Sequence, residues 1–269
     1  MQKYIDLHSH SSHSPDADHS VADMCRAAEQ KGLYAYAVTD HCEMNDFIGG
    51  GYVNTIPASL AEMEQVRSSE EWKTVLLKGI EVGQALENRA VSDSFLDDVW
   101  GKTDFILGSL HNMVAYTDFA FLDYHNENIP ALLKRYFTEL LSLAEWGRFD
   151  SLAHMTYPLR YMKAQGFEVD LDPYKKQIDE ILSCLAKTGH ALEVNTSGLR
   201  QTMRETMPPF WVVRRFKELG GHYVTVGSDS HCTQDVGKGI AEAICLIKEA
   251  GFQTLTYYVQ HKPVELPIL

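Results

Sequence analysis

The chain has 269 residues, 45% of them hydrophobic and 23% charged, which supplies a large buried core and excludes a disordered chain. Its 37 acidic and 24 basic residues give a formal net charge of −13, so the surface as a whole repels phosphate backbones and nucleic acid is excluded as a bulk partner. A small anionic substrate would then need a local positive site, made by metal ions or a few arginines.

Short apolar runs alternate with longer helical patterns along the chain. Residues 4–8 read as a strand running into His8. Residues 21–31 follow as a helix, with Val21, Met24, Cys25 and Ala28 at helical spacing and Gly32 as the stop signal. Residues 36–39 are the next strand and 60–69 a helix; strands follow at 74–80 and 105–110. Residues 129–146 form a long amphipathic helix whose apolar face carries Leu132, Leu133, Tyr136, Phe137 and Leu140. A strand at 151–153, a helix at 173–188, a strand at 191–195, a helix at 209–219, a strand at 223–227 and a helix at 239–250 complete the pattern. Seven strands alternating with helices predict an α/β protein with a parallel sheet, either closed as a barrel or doubly wound. One domain is expected to span residues 1–269.

The five cysteines, Cys25, Cys42, Cys184, Cys232 and Cys245, are odd in number and form no CxxC pair, which points to reduced thiols. Residues 1–3 lead directly into a strand, so no signal peptide is expected. No apolar run approaches the roughly 18 residues that span a bilayer. The expected setting is the cytoplasm, with no membrane partner.

The C-terminal ends of the predicted strands share a chemistry. The first ends in Asp6-Leu7-His8-Ser9-His10, the second in Thr39-Asp40-His41 and the third in Glu81. The fourth ends in His111, the fifth in His154, the sixth in Asn195 and the seventh in Ser228-Asp229-Ser230-His231. In βα barrels the active site is built at this face. Alternate residues of a strand point the same way, so His8 and His10 can aim at one ion, as can Asp229 and His231. Imidazole and carboxylate together suit Zn, Mn or Fe, and without thiolates a structural zinc knot is excluded. A single histidine at a strand end is an ordinary surface or capping residue, and an HxH arises easily by chance among twelve histidines. The repetition over six strand ends is what predicts a metal centre.

The motifs DLHSH at 6–10, SPDA at 14–17, TDH at 39–41, GIE at 79–81, GSLH at 108–111, His154 and GSDSH at 227–231 follow one another as in the polymerase-and-histidinol-phosphatase (PHP) family of metal-dependent phosphoesterases. The chain resembles that family over nearly its whole length. The resemblance implies a distorted seven-stranded (β/α)7 barrel, TIM-like, holding two to three divalent metal ions. It implies His8, His10, Glu81 and Asp229 as ligands of a first ion, with Glu81 bridging to a second held by His111 and His154. A third would take His41, His231 and Asp16, with His13 a nearby competitor for the last place. Asp6 and Asp40 are expected to orient imidazoles from behind.

The stretches HMTYPLR at 154–160 and NTSGLR at 195–200 resemble the histidinol-phosphatase branch. They imply that Arg160 and Arg200 clamp the phosphate, and guanidinium forks do grip phosphate oxygens in pairs. The expected reaction is hydrolysis of a small phosphate monoester, L-histidinol phosphate before a nucleotide or sugar phosphate. A hydroxide bridging two ions would attack phosphorus, and Asp229 or His231 would relay a proton to the leaving alkoxide. Glu43, Asp46, Asp118 and Asp123 are candidate carboxylates for the cationic end of such a substrate. A barrel amidohydrolase fits less well, since no lysine stands at a matching strand end.

Overall fold

The computed structural model describes residues 2–269. In chain order the elements are β1 (Ile5–Asp6), α1 (Val21–Gln30), β2 (Ala35–Val38), β3 (His41–Glu43), α2 (Tyr52–Ser69), β4 (Val75–Gly83) and α3 (Arg89–Val99). There follow β5 (Phe105–Ser109), α4 (Ile129–Trp146), β6 (Ser151–Leu152), α5 (Pro158–Ala164), α6 (Lys175–Thr188), β7 (Ala191–Asn195) and α7 (Ser197–Arg200). The chain ends with α8 (Phe210–Glu218), β8 (Val224–Gly227), α9 (Ile240–Glu249), β9 (Thr254–Val259) and β10 (Lys262–Pro267).

Strands β1, β2, β4, β5, β6, β7 and β8 pair in parallel in that order. The seam between the last and the first is joined by the chain just beyond β1 and β8. Leu7 N–H donates to Val226 O at 2.9 Å, Asp229 N–H to His8 O at 2.8 Å, and His10 N–H to Ser230 O at 2.8 Å. The sheet therefore curls into a nearly closed seven-stranded barrel with helices outside, the TIM-like architecture that the sequence resemblance implies. Its strands are buried on both faces and so read as near-continuous apolar runs, as Phe105-Ile106-Leu107 does.

Local sequence explains the boundaries. Helix α4 begins at Asn128, whose side chain accepts from Ala131 N–H, carries Pro130 in its first turn and ends at Gly147 with φ 64°. Helix α2 starts eight residues before the predicted 60, because the buried stripe of Tyr52, Ile56, Leu60 and Met63 runs through Pro57. Strand β4 does not stop at residue 80. The short β3 pairs with its far half in the register His41↔Glu81, so the ladder continues to Gly83.

Helices α3, α5 and α7 and the hairpin β9–β10 were not predicted. The hairpin turns at Gln260-His261, both with positive φ, and neither residue is the Gly or Asn that marks such a turn in sequence. It packs under the barrel, where Tyr258 stacks on Phe105 at 5.4 Å and His261 N–H donates to Asp104 O at 3.0 Å. Asp104 and Asp150 precede β5 and β6, so the hairpin covers the end opposite the strand termini that carry the histidines. Among the described residues no helix is long and apolar enough to cross a membrane. The five cysteines are unpaired.

His261 ties this hairpin down. Its Nδ1 lies 2.8 Å from Asp150 Oδ2, its Nε2 lies 2.9 Å from the Trp100 carbonyl, and its ring stacks on Trp100 at 3.9 Å. Acceptors at both ring nitrogens favour an imidazolium, although the Thr103 hydroxyl, 3.2 Å from Nε2, can also face a neutral ring. Burial works against that charge, but the Asp150 carboxylate outweighs it and holds the pKa above the ordinary 6.5. A raised folded-state pKa stabilises fully below the unfolded value, and the stabilisation is lost as pH rises through the folded one. His261→Ala should lower stability by about 1–3 kcal/mol at pH 6 and by clearly less at pH 9. Denaturant titrations at the two pH values check this, and equal losses would contradict the imidazolium assignment.

Candidate metal centre

Parallel pairing brings the strand ends to one level, and the His41↔Glu81 register sets the centre of the cluster. Glu81 is fully buried, with five imidazoles around its carboxylate. His41 Nδ1 and His154 Nε2 lie at 2.9 Å, His111 Nε2 at 3.2 Å, His8 Nε2 at 3.4 Å and His10 Nε2 at 3.6 Å. Asp229 Oδ1 lies 3.5 Å from His10 Nε2 and 3.8 Å from His8 Nε2. Toward solvent, Asp16 Oδ2 lies 3.1 Å from His231 Nε2 and 3.6 Å from His41 Nε2. The structure thus gathers all the residues that the sequence nominated as ligands. His13 is not among them, because its Nε2 points to Glu62 Oε2 at 2.7 Å.

The donor set suits divalent ions. His8 Nε2 and His10 Nε2 are buried without a hydrogen-bond partner, although buried polar atoms are normally paired, and His41 Nδ1 and Glu81 Oε2 meet only as an ion pair at 2.9 Å without hydrogen-bond geometry. Ligand atoms of His8, His10 and Asp229 lie within 4.8 Å of one another, as do those of His8, Glu81 and His154, and those of His41, Glu81 and His111. A nitrogen and oxygen set without thiolate fits Zn, Mn or Fe.

Electrostatics divide the imidazoles. Burial opposes charge on Glu81, yet His8, His111 and His41 hold its carboxyl well below the usual range. Burial likewise opposes charge on His8, His41 and His111, but the carboxylates facing them win, raising His111 to about 10. Burial together with the neighbouring His41 and His231 pushes His10 down to about 3, and burial also lowers His154.

The groups that orient these rings differ from expectation. Asp6 accepts from Ser228 N–H at 2.8 Å, Ser228 Oγ at 2.6 Å and Gly237 N–H at 2.8 Å. Asp40 accepts from Ser11 and from the hydroxyls of Ser14 and Ser59. Neither touches an imidazole. Both are claimed by backbone and hydroxyl donors of the loops that carry the ligands, and only Ser14 Oγ, 3.3 Å from His10 Nδ1, passes Asp40's influence on.

The carboxylate behind His8 is Glu193, which sequence reading missed. It accepts from His8 Nδ1 at 2.7 Å and from His154 N–H at 2.8 Å, so that His8 turns Nε2 toward the cluster. A glutamate inside the apolar strand ALEVN was the available signal, since a buried charge is the informative exception. Glu43 is likewise no loop carboxylate. Against burial, His111 holds it down to about 2, and its Oε1 lies 2.9 Å from His111 Nδ1. Asp46 and Asp123 do not line the cavity; Asp123 accepts from His125 N–H and Asn126 Nδ2.

Gly227 is required by this crowding. A Cβ there would collide with His8 and with Glu193 Oε1. The backbone is also held in the left-handed region at His154, φ 22°, and at Asp229, φ 53°. Each conformation is fixed by a donated N–H, from His154 to Glu193 and from Asp229 to His8 O.

Both arginines reach the cluster. Arg160 lies over Tyr157 and Tyr161, 4.4 and 4.7 Å from their ring centroids, and its Nη1 approaches Asp229 Oδ2 at 3.4 Å. Arg200 Nη2 donates to Asp229 O at 3.3 Å, and its Nε faces Asp235 Oδ2 at 3.4 Å. Arg160 Nε and Arg200 Nη1 are buried and unpartnered. Two cavities, of about 380 and 440 Å³, open beside the cluster, and Asp16, Arg160, Asp229 and His231 line both.

The PHP domain family matches residues 6–197, and the chain belongs to that family. A probable histidinol-phosphatase of Thermotoga maritima is 31% identical, covering 93% of this chain and 94% of that protein. The histidinol-phosphatase of Lactococcus lactis is 26% identical, covering 95% of this chain and 94% of that protein. The crystal structure of histidinol phosphate phosphatase from Lactococcus lactis, complexed with zinc, L-histidinol and phosphate, superposes with a TM-score of 0.81. It is 23% identical and covers 97% of this chain and 99% of that one, a likeness of fold.

Removing the carboxylate charge behind His8 tests the cluster's construction. Glu193→Gln should weaken divalent-ion affinity by roughly 10–100-fold while the barrel stays folded. Competition against a chromophoric chelator reads the affinity and circular dichroism reads the fold. Wild-type affinity in the variant would remove Glu193 from the centre.

Proposed function

We propose that this chain is a phosphoric monoester hydrolase that converts L-histidinol phosphate to L-histidinol and phosphate, with two to three divalent ions, Zn, Mn or Fe, in one barrel domain spanning residues 1–269. The observation that carries this reading is a set of buried imidazole and carboxylate atoms, several without hydrogen-bond partners, with two arginines converging on one of its members, Asp229. Relatives named as histidinol-phosphatases align over nearly the whole chain and support the choice of substrate. Five unpaired cysteines fit a cytoplasmic setting.

His8, His10, Glu81 and Asp229 would hold one ion, Glu81 with His111 and His154 a second, and His41, His231 and Asp16 a third. Ions held there act as Lewis acids and lower the pKa of coordinated water. The rest falls to the chain. Arg160 and Arg200 both line the second cavity, where their guanidinium groups can bind phosphoryl oxygens, and the two tyrosines beneath Arg160 fix the plane of its guanidinium. Asp229 Oδ1 and His231 Nδ1, 3.7 Å apart, stand where the two cavities meet and can pass a proton to the leaving alkoxide oxygen. The −13 net charge elsewhere leaves this as a local site for a dianion.

The test is kcat/KM for L-histidinol phosphate against fructose, glycerol and nucleoside monophosphates under one metal condition. Histidinol phosphate should lead by tenfold or more. Arg160→Ala and Arg200→Ala should each lose roughly 30- to 1000-fold, about 2–4 kcal/mol of transition-state binding, with metal content intact. A nucleotide or sugar phosphate winning by tenfold would sink the substrate, and unchanged kinetics in both variants would sink the clamp.

A further inference from the structure

Two loops meet on the solvent side of the cluster. The chain between β1 and α1 carries Asp16, and the chain between β8 and α9 carries His231 and Asp235. Direct bonds between the two loops are weak. Asp18 N–H donates to His231 O at 3.4 Å, and His19 Nε2 lies 3.4 Å from Thr233 Oγ1, both near the limit of hydrogen-bond range. The inner end of the second loop is tied to the barrel, through Gly237 N–H to Asp6 Oδ2 at 2.8 Å and Thr196 Oγ1 to Lys238 O at 2.6 Å. Residues 232–236, between His231 and those ties, need another support.

Lys31 supplies it from outside the site. It caps the C-terminal end of α1, and its Nζ donates to Thr233 O at 3.0 Å, Gln234 O at 2.9 Å and Val236 O at 2.7 Å. An ammonium has three N–H and no acceptor, so three converging carbonyls of one loop satisfy it completely. Without it, three carbonyl dipoles of one turn would point at each other. Val236 adds an apolar hold, since it is 1% exposed and belongs to the cluster built on Val21, Met24 and Cys25 of α1. Helix α1 thus brackets the site: the chain entering it carries Asp16, and the residue ending it grips the loop of His231. Within that loop Asp235 Oδ2 faces Arg200 Nε at 3.4 Å, so the same grip reaches one of the two arginines.

We propose that Lys31 is a positioning residue of the metal centre, acting through the loop after β8 to set His231 against Asp16 and Asp235 against Arg200. None of its three bonds goes to a ligand side chain. The inference rests on the reading of Asp16, His41 and His231 as holders of an ion.

Lys31→Met keeps an apolar stem of similar length and removes all three donors. Lys176→Met, on the exposed face of α6, controls for the loss of a surface charge. The full chain, purified without chelator, is compared with both variants. Hydrogen exchange reads the loop, and competition of a chromophoric chelator for Zn reads the ions. In Lys31→Met the amides of residues 232–237 should exchange at least tenfold faster, with those of β4 and β7 within twofold. The most weakly held ion should bind at least tenfold more weakly and the others within twofold. The Zn concentration giving half-maximal hydrolysis of L-histidinol phosphate should rise by the same factor, with kcat at saturating Zn within twofold. Lys176→Met should match the wild type throughout. An unchanged loop, or exchange accelerated equally across the barrel, would overturn the anchor. A faster loop with wild-type affinity for every ion would overturn the positioning role and leave the phosphatase standing. A wild type that binds no Zn would overturn the metal reading and this inference with it.

Discussion

A carboxylate with no solvent exposure, Glu81, stands among five imidazoles, and such a charge persists only when it is compensated. Five rings this close cannot all be imidazolium cations. His8, His41 and His111 face carboxylates and favour the cation, while His10 is driven neutral by its burial and then by His41 and His231. Protons alone therefore compensate the site unevenly and leave buried nitrogens without partners. Divalent ions remove the conflict, since one ion accepts several neutral imidazoles and a carboxylate at once.

That arrangement depends on how the barrel closes. Ligands come from the first strand and the last, so the β1–β8 seam must hold them in register. Asp6 does so from the β1 side, accepting from Ser228 and Gly237 beyond β8. Gly227 lets the two chains approach, and Asp229 turns back in a left-handed conformation that its bond to His8 O maintains. At the opposite end the β9–β10 hairpin covers the barrel floor through Tyr258 and His261. The metal face is thereby left as the accessible end.

The residues of the histidine and carboxylate cluster were legible because their chemistry is local to strand ends. His8-Ser9-His10 and Asp229-Ser230-His231 place two ligands on one side of a strand by alternation alone, and the alternating strands and helices predicted the parallel sheet. What was illegible is set by contacts distant in sequence. Glu193 faces His8 across 185 residues, and Glu43 faces His111 across 68. The aspartates of DLHSH and TDH looked like orienters of the neighbouring histidines, but long-range hydroxyl and amide donors claim both. The hairpin escaped because its turn, Gln260-His261, takes positive φ without glycine or asparagine. Arg160 and Arg200 were placed by resemblance alone. Their convergence on Asp229 follows from neighbouring strands β6, β7 and β8, each followed by a short segment that leans over the same strand end.

A metal centre and a proton-shared histidine core differ in one measurable property of the buried cluster, its bound transition metal. Elemental analysis of protein purified without chelator reads it most directly. A metal centre predicts two to three transition-metal ions per chain, falling to one or fewer in a variant that replaces Glu81 by Gln, since Glu81 would serve two of the three ions. Metal-free wild-type protein that cannot be loaded with Zn, Mn or Fe would contradict it.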